Sequence, residues 1–444
     1  DAVRLPVVHW WLRQQSRPAA VIARLWAYGD HVDDDAVRTA LDGIVEPLEA
    51  VGALRRSGEG WRGGLRMVPF AGLWVASDDM HGTDPVMGPG ATTDELARTI
   101  GDCDGVSVLD VGCGAGSLAL VAAARGAREV VGVDLHPRAA QWSQINARLN
   151  GLSLELHTGD LTAPVAGRRF DLVLAQPPFV VKPPAVDATT YLHGGAMGDE
   201  LTMRLVSELP EILAPGGEAR LLFDSPIREQ APLWRRLEQA HGKDDLQQVL
   251  FVMPGNSPNI QAIGYAASSH PALGDAYAQS VTRYREHLHA QGIDQCDHAL
   301  AVIRQVSDAP GLSVTIERGS LSGVDAETIT RTWEAITVAS QSEQGLLDTE
   351  IRLPEGASIV QEQALDGGGA HFELRLPAGR GGAQQLSEAA ALLVDMLREP
   401  GTVQAVVDRY ATACEAEPAE VQPGVLDFVR QSLVSGRLAV GTKD

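Results

Sequence analysis

The sequence predicts an α/β protein whose centre is a doubly wound parallel sheet, with further domains before and after it. Two observations lead to this class. Short apolar runs alternate with segments of helical composition between Val106 and Phe179, which is the pattern of a parallel sheet with helices on both faces. Acidic or polar residues follow these runs, at the strand ends where such sheets bind ligands.

The first predicted strand leads into a glycine-rich turn. The stretch Val106–Leu120 reads VSVLDVGCGAGSLAL, so that an apolar run reaches Asp110 and a helix begins at Ser117. The turn between them contains three glycines, which allow the backbone to pass close to a ligand and to adopt dihedral angles that a Cβ would forbid. An ordinary strand, turn and helix without a ligand would also fit this stretch alone.

Three further strands make a ligand site the better interpretation. Glu129–Asp134 ends in an acid about twenty residues after the glycine turn, the placement of a carboxylate that binds ribose hydroxyls. Leu154–Asp160 also ends in an acid, and Arg169–Ala175 is followed by Gln-Pro-Pro-Phe at residues 176–179. Pro137–Asn150 has the composition of a helix that ends at a glycine. The sheet is therefore expected to be Rossmann-like.

The turn VLDVGCGAG resembles motif I of the class I S-adenosylmethionine-dependent methyltransferases. The resemblance implies that Asp110 and the turn surround the methionine end of the cofactor. It also implies that Asp134 binds the ribose and that Asp160 lies near the adenine. The complete set of cofactor-binding residues expected on this basis is Asp110, Gly112, Cys113, Gly114, Gly116, Asp134, Leu135, Asp160, Leu161 and Gln176.

The tetrapeptide Gln176–Phe179 stands where the amino-methylating members of that family have Asn-Pro-Pro-Tyr or Asn-Pro-Pro-Phe. Residues 82–93, 191–201 and 213–223 are most similar to the release-factor glutamine and ribosomal RNA guanine methyltransferases with a "small" catalytic domain. The resemblance covers about residues 75–225 and implies that Gln176 and the Pro177 carbonyl hold the target nitrogen, while Phe179 packs against it. The chemistry is mainly positioning.

Glutamine at position 176 departs from the family pattern by one methylene. Three possibilities are open: a different nucleophile, a target that is an amine, hydroxyl or carbon, or transfer of the acceptor role to the Pro177 carbonyl. His193 is a candidate base because the ordinary pKa of histidine suits neutral pH. His81 and Asp84 are secondary candidates for the pocket, and Asp199 is a candidate either for catalysis or for capping the helix that follows it.

Composition restricts the partners. Among 444 residues, 36 are basic and 58 acidic, which gives a net charge of −22 and favours a peptide or small molecule over a nucleic-acid partner. The four cysteines are scattered and the histidines lack metal-ligand spacing, so no metal is expected. The sequence shows no leader or long apolar run, and we therefore expect a cytoplasmic protein with no membrane partner.

Three domains are expected: a winged-helix-like domain at residues 1–76, the methyltransferase domain at 77–306, and an α+β extension at 307–444 whose end could be winged-helix-like. The last helical segment of the first domain, Ile44–Arg56, precedes a short β-wing and offers Glu46 and Glu49, with Arg55 and Arg56 only at its end. Substrate recognition or homodimer formation is therefore favoured over DNA binding.

The function expected from the sequence is S-adenosylmethionine-dependent N-methylation of a small molecule or peptide in a modification or biosynthetic pathway. One alternative keeps the chemistry but makes the acceptor an RNA base or a protein glutamine. A second alternative is a catalytically silent, cofactor-sensing regulator that binds DNA.

Overall fold

The computed structural model describes residues 5–79, 84–184, 186, 191–228, 231–270, 274–306, 311–363, 370–377 and 383–441. Its centre is an eight-stranded sheet in the order β8-β6-β7-β5-β4-β1-β2-β3. Neighbouring strands are parallel except around β7, which runs antiparallel to both β5 and β6. The strands are β1 Ser107–Val111, β2 Glu129–Asp134, β3 Glu155–Thr158, β4 Phe170–Ala175, β5 Leu213–Pro226, β6 Leu246–Asn256, β7 Cys296–Gln305 and β8 Leu312–Glu317.

Helices cover both faces of this sheet, as expected for a doubly wound fold. They are α1 Ala91–Thr99, α2 Ser117–Ala124, α3 Pro137–Leu149, α4 Glu200–Ile212, α5 Leu233–His241, α6 Pro258–Ser269, α7 Asp275–Ala290 and α8 Ala326–Ala339. One apolar cluster joins the sheet to α1, α2 and α8, and the opposite cluster joins it to α4 and α5. Because strands buried on both faces need apolar side chains throughout, the central strands are continuous apolar runs. The prediction of an α/β doubly wound fold is confirmed.

The sheet continues beyond residue 306, where the sequence analysis placed the end of the catalytic domain. β8 pairs in parallel with β6, and Trp333 of α8 donates a hydrogen bond to Glu218 of β5 over 2.8 Å. The Arg304 guanidinium stacks over the Trp333 ring at 3.8 Å. β8 and α8 therefore bury their apolar sides against the same sheet although they follow the predicted boundary, and the division into domains stays a prediction.

The N-terminal part contains helices, a short strand and two hairpins. Its elements are helices Leu5–Arg13, Pro18–Ile22, Asp34–Ala40 and Val45–Ala50, a π-helical turn Ala23–Ala27, and strands Val32–Asp33, Leu54–Ser57, Gly60–Gly63, Arg66–Phe70 and Leu73–Ser77. The strand Val32–Asp33 pairs with the second strand of the first hairpin, which gives a three-stranded antiparallel sheet. Helices followed by such a hairpin fit the expected element order, and the winged-helix-like assignment stays a prediction.

The C-terminal part is also mixed. It contains helices Glu343–Leu347, Glu388–Met396, Val403–Ala413 and Pro418–Val434 and strands Glu350–Arg352, Ser358–Gln363, Ala370–Arg375, Ala383–Leu386, Gly401–Thr402 and Ala439–Val440. A separate apolar cluster joins its helices. The α+β extension and its winged-helix-like end stay predictions as a domain assignment.

Asn146 of α3 joins the N-terminal part to the catalytic sheet. Its amide nitrogen donates to the carbonyl oxygens of Ala76 (2.8 Å) and Ala115 (2.9 Å), and its oxygen accepts from the Ala76 N–H at 2.8 Å. Asn150 makes the corresponding pair of bonds to Trp74 at 2.9 and 2.7 Å, nearer the surface. The hairpin Arg66–Ser77 is thereby fixed against the helix that supports the glycine turn.

We expect Asn146→Ala to lower the free energy of unfolding by about 2–4 kcal/mol, since it leaves buried backbone groups without partners. Asn150→Ala is the matched control, and its loss is expected to be about 1 kcal/mol because water can replace its bonds. Urea titration followed by tryptophan fluorescence measures both. Equal losses of unfolding free energy in the two variants would show that the burial of Asn146 does not add to the stability of the fold.

Candidate active site

A cavity of about 240 Å³ lies at the carboxyl ends of β1 to β4. Its wall is formed by the glycine turn, the ends of β2 and β3, the tetrapeptide after β4, and the segment that leads into α1. Three of the acids expected from the sequence, Asp110, Asp134 and Asp160, line it. The site is therefore where a doubly wound sheet binds its ligand.

The glycine turn is held against β2 by its backbone. The N–H groups of Gly112 and Cys113 donate to the Val133 carbonyl at 2.8 and 3.1 Å. Gly116 has φ +80°, and a Cβ there would lie 2.7 Å from the Ser143 hydroxyl oxygen. A side chain at this position would therefore displace α3 or the turn, which is the physical reason for glycine.

Asp110 lies beneath the turn and is 1% exposed. Its carboxylate accepts a hydrogen bond from the Ala119 N–H at 3.0 Å, in the first turn of α2. Burial raises the pKa of Asp110 to about 7, against the effect of that hydrogen bond. Cys113 also lines the cavity, and burial raises the pKa of its thiol, so that it stays a neutral packing group.

Asp134 ends β2 and faces the cavity. Its two oxygens accept from the N–H groups of Gly114 and His136, each at 2.8 Å. Burial raises the pKa of Asp134, whereas these two hydrogen bonds lower it. A carboxylate has about four lone-pair positions, so that hydroxyl groups of a ligand still find acceptors. This arrangement fits the predicted contact with a ribose.

Leu135, Asp160 and Leu161 line the cavity beyond Asp134. The Leu135 side chain is 58% exposed and supplies an apolar edge, while Leu161 adopts a positive φ of 44° in the turn after β3. The Asp160 carboxylate pairs with Arg204 of α4. All three residues lie at the cavity wall, and their contacts with the cofactor stay a prediction.

Gln176 follows β4 and is held by two threonines at the start of α1. Its amide nitrogen donates to the Thr92 hydroxyl, and its amide oxygen accepts from the Thr93 hydroxyl at 3.0 Å. Pro177 lines the cavity beside it, whereas Phe179 packs into two apolar clusters and is absent from the described cavity wall. The structure therefore places Gln176 and Pro177 together and Phe179 behind them.

Two predicted candidates lie elsewhere. His193 contacts the Tyr284 hydroxyl of α7 at 3.0 Å, away from the described cavity wall. Asp199 is 2% exposed and bonds to Arg236, to Arg228 (3.2 Å) and to Ser225 (3.1 Å). Its side chain forms no capping hydrogen bond on α4. Both residues connect elements of the fold, and neither reaches the cavity.

Of the secondary candidates, Asp84 lines the cavity and His81 lies outside the described residues. The structure adds Thr92, Thr93 and Tyr191 to the wall. Burial raises the pKa of Tyr191, and the charge of Asp84 raises it further. Sequence reasoning missed the threonines, which lie in the first turn of α1. No local pattern shows that this helix begins beside the end of β4.

A search of known proteins identifies the family. Residues 90–243 match the model of the methyltransferase small domain. A candidate protein N5-glutamine methyltransferase of Methanocaldococcus jannaschii is 32% identical over 139 residues, which are 30% of this chain and 70% of that protein. The chain belongs to the methyltransferase small domain family.

Two further proteins are similar to this methyltransferase. The release factor glutamine methyltransferase of Geobacter sulfurreducens is 34% identical over 124 residues, which are 25% of this chain and 43% of that protein. A solved structure of a candidate methyltransferase complexed with S-adenosylhomocysteine has 16% identity and a TM-score of 0.33, covering 61% of this chain and 65% of that one. The chain thus spans less than half of the release factor enzyme.

The enzyme is an S-adenosylmethionine-dependent methyltransferase, and the cavity fits this cofactor. Four acidic side chains line it: Asp84, Asp134, Asp160 and Asp110, the last about half ionised at neutral pH. This lining suits a ligand with sulfonium and ammonium charges. The backbone at Gly112–Gly116 leaves space that side chains would fill.

Among the described residues, no group of three His, Cys, Asp or Glu side chains is placed to hold a metal ion. No described helix is long and apolar enough to cross a membrane.

A second polar cluster adjoins Gln176 through α1. His298 at the start of β7 contacts Asp224 of β5 at 2.7 Å and Glu95 of α1 at 3.0 Å. Gln261 of α6 donates to the other oxygen of Asp224 at 3.1 Å. Burial alone lowers the pKa of His298, but its bonds to Asp224 and Glu95 outweigh burial and raise the pKa to about 9. The imidazolium therefore connects α1 to two sheet strands at neutral pH.

We expect Asp134→Ala to weaken S-adenosylhomocysteine binding about tenfold or more, because it removes charged acceptors for the ribose hydroxyls. Isothermal titration calorimetry measures the change. Asp160→Ala is the comparison variant, expected to lose less because its carboxylate is 57% exposed and already paired with Arg204. Unchanged affinity in Asp134→Ala would contradict the assignment of the ribose site.

We expect His298 to make stability depend on pH. Its pKa is about 9 in the folded chain and about 6.5 unfolded. The stabilisation is therefore complete below pH 6.5 and is lost as pH rises through 9. The loss is about 3 kcal/mol. Urea midpoints measured from pH 6 to 10 should fall more steeply for the wild type than for His298→Gln. Parallel curves would show that the imidazolium does not contribute.

Proposed function

We propose that this methyltransferase acts on a protein acceptor and that the methylated atom is the side-chain amide nitrogen of a glutamine. The observation that carries the proposal is the amide of Gln176, held at the cavity wall beside Pro177. The names of the two relatives, which refer to protein N5-glutamine and to release factor glutamine, support the same acceptor.

The two threonines set the direction of the Gln176 amide. Because Thr92 binds its nitrogen and Thr93 binds its oxygen, the amide plane cannot turn without breaking both bonds. A carbonyl oxygen has two lone pairs, so that one remains for an N–H of the acceptor. The Pro177 carbonyl is the second acceptor in the proposed arrangement.

The same threonines provide a reason for glutamine where the family pattern has asparagine. One extra methylene gives the side chain another rotatable bond, and a loosely held amide would position an acceptor poorly. The bonds to α1 restore that order. We infer that α1 and the longer side chain together hold the amide acceptor in place, as the shorter asparagine of the family pattern does without the helix. This arrangement favours a nitrogen nucleophile over a hydroxyl or a carbon.

The cofactor and the protein have different roles in the proposed reaction. The cofactor, when bound, would supply a methyl group on a sulfonium, and the neutral thioether of S-adenosylhomocysteine would leave as the nitrogen–carbon bond forms. The amide nitrogen would lose one proton in this exchange, and water can accept it. The protein contributes orientation, because Asp134 and the glycine turn hold one reactant while Gln176 and the Pro177 carbonyl hold the other. Orientation of this kind lowers a barrier by removing translational and rotational freedom in advance.

A small-molecule acceptor, which the sequence analysis favoured, has no support from the matched relatives. Their names refer to proteins, so that the protein-glutamine alternative fits better. An RNA base would use a similar amide-binding geometry, but the net charge of −22 opposes a phosphate backbone.

Methyl transfer from labelled S-adenosylmethionine tests the proposal, with a translation release factor, total ribosomal proteins and ribosomal RNA offered separately. We expect label on protein, and mass spectrometry of peptides should locate one added methyl group on a glutamine. Gln176→Ala should lower kcat about a hundredfold, because a loosely placed acceptor reacts slowly, while cofactor affinity stays close to the wild type.

Gln176→Asn is the matched control, since it keeps the amide but cannot reach both threonines. It should show activity between those of the wild type and the alanine variant. Full activity of Gln176→Ala would overturn the role of this amide, and label on RNA alone would overturn the protein acceptor.

A further inference from the structure

The N-terminal part contains a groove of about 530 Å³ whose charge is opposite to that of the chain. Four arginines line it, and we call it the arginine groove: Arg55, Arg56, Arg62 and Arg66, with Trp26, Tyr28 and Asp79 among the other lining residues. Four guanidinium groups against one lining carboxylate give a local charge of 4 − 1 = +3, whereas the whole chain has −22.

The guanidinium groups have donors left for a ligand. Arg55 pairs with Asp79 at 2.8 Å, and Arg56 pairs with Asp34 at 3.1 Å while stacking over the Trp61 ring at 4.0 Å. Arg62 has one weak bond, to the Gly29 carbonyl at 3.4 Å, and Arg62 and Arg66 are exposed. Because each guanidinium carries five N–H donors in a planar fork, the groove suits planar anions such as carboxylates.

Two consecutive aspartates connect the groove to the cavity. Asp79 binds Arg55 in the groove, while the Asp78 carboxylate accepts from the Val86 N–H at 2.7 Å and from the Trp142 indole at 3.0 Å. Val86 lines the cofactor cavity. The hairpin that carries Arg66 is also fixed to α3 by Asn146 and Asn150. The groove therefore has a fixed place relative to the site of methyl transfer.

We propose that the arginine groove binds an acidic segment of the acceptor protein and so delivers the target glutamine to the cavity. This inference rests on the proposed function. A peptide is favoured over nucleic acid because the positive surface is short, with Asp79 in its lining and Asp34 paired with Arg56 beside it. A few carboxylates fit such a patch, whereas a long phosphate backbone would continue onto an acidic surface.

Fluorescence anisotropy with a labelled hexaglutamate peptide tests the groove without requiring the acceptor. We expect binding that weakens with salt, and the double variant Arg62→Gln/Arg66→Gln should weaken it about tenfold, since charge-assisted bonds to carboxylates are lost. The matched control is Arg148→Gln/Arg285→Gln, which changes net charge equally at two exposed arginines outside the groove. This control should bind like the wild type.

Hexauridylate, a nucleic-acid probe of similar length, is measured in parallel. Equal weakening in both double variants would show an effect of net charge alone and overturn the inference. Hexauridylate binding tighter than hexaglutamate through Arg62 and Arg66 would also overturn it. S-adenosylhomocysteine affinity is recorded for every variant. A groove that fails to bind peptide while cofactor binding and methyl transfer persist would refute only this inference and leave the proposed function standing.

Discussion

The main chain of the glycine turn depends on three side chains that come from outside it. Asp134 accepts from the Gly114 N–H at 2.8 Å, Ser143 donates to the Gly114 carbonyl at 3.0 Å, and Asn146 donates to the Ala115 carbonyl at 2.9 Å. Gly112, Gly114 and Gly116 all have positive φ angles, and glycines fix the backbone poorly by themselves. The side chains from β2 and α3 therefore hold the turn in place. Because Asn146 also binds Ala76, the same contact fixes the N-terminal hairpin. The cofactor site and the N-terminal part are thus both held by the side chain of Asn146.

The acceptor side of the site depends in a similar way on α1. Its first turns carry Thr92 and Thr93 to the amide of Gln176, and Glu95 to the imidazole of His298. One helix therefore touches the end of β4 and, through His298 and Asp224, the ends of β7 and β5. A movement of α1 would disturb both the amide and this cluster. The tetrapeptide motif is thus only one half of the proposed acceptor site, and the helix supplies the other half.

The sequence predicted β1 to β4 and the groups at their ends because strands buried on both faces must be apolar throughout. The sequence could not predict which side chains pair with one another when they are far apart along the chain. Asp199 precedes a helix and looks like a cap, but Arg236, 37 residues later, takes its carboxylate, since a buried charge needs an opposite charge. His193 stands in a loop motif yet pairs with Tyr284, 91 residues away. β8 follows the predicted boundary at residue 306 and yet pairs with β6, and such a non-local pairing is not visible in the sequence.

Charge is distributed so that two different ligands can be attracted to one acidic chain. The cavity is lined by four acidic side chains, and their negative charge favours a cationic cofactor and would repel an acidic segment of an acceptor. The arginine groove has the opposite sign and is joined to the cavity by Asp78 and Asp79, whose carboxylates bind one on each side. Because the negative and the positive surface lie at different places, binding of a cationic cofactor does not prevent binding of an acidic segment. An acceptor can be held by its acidic segment at the groove, while only a neutral amide has to enter the acidic cavity.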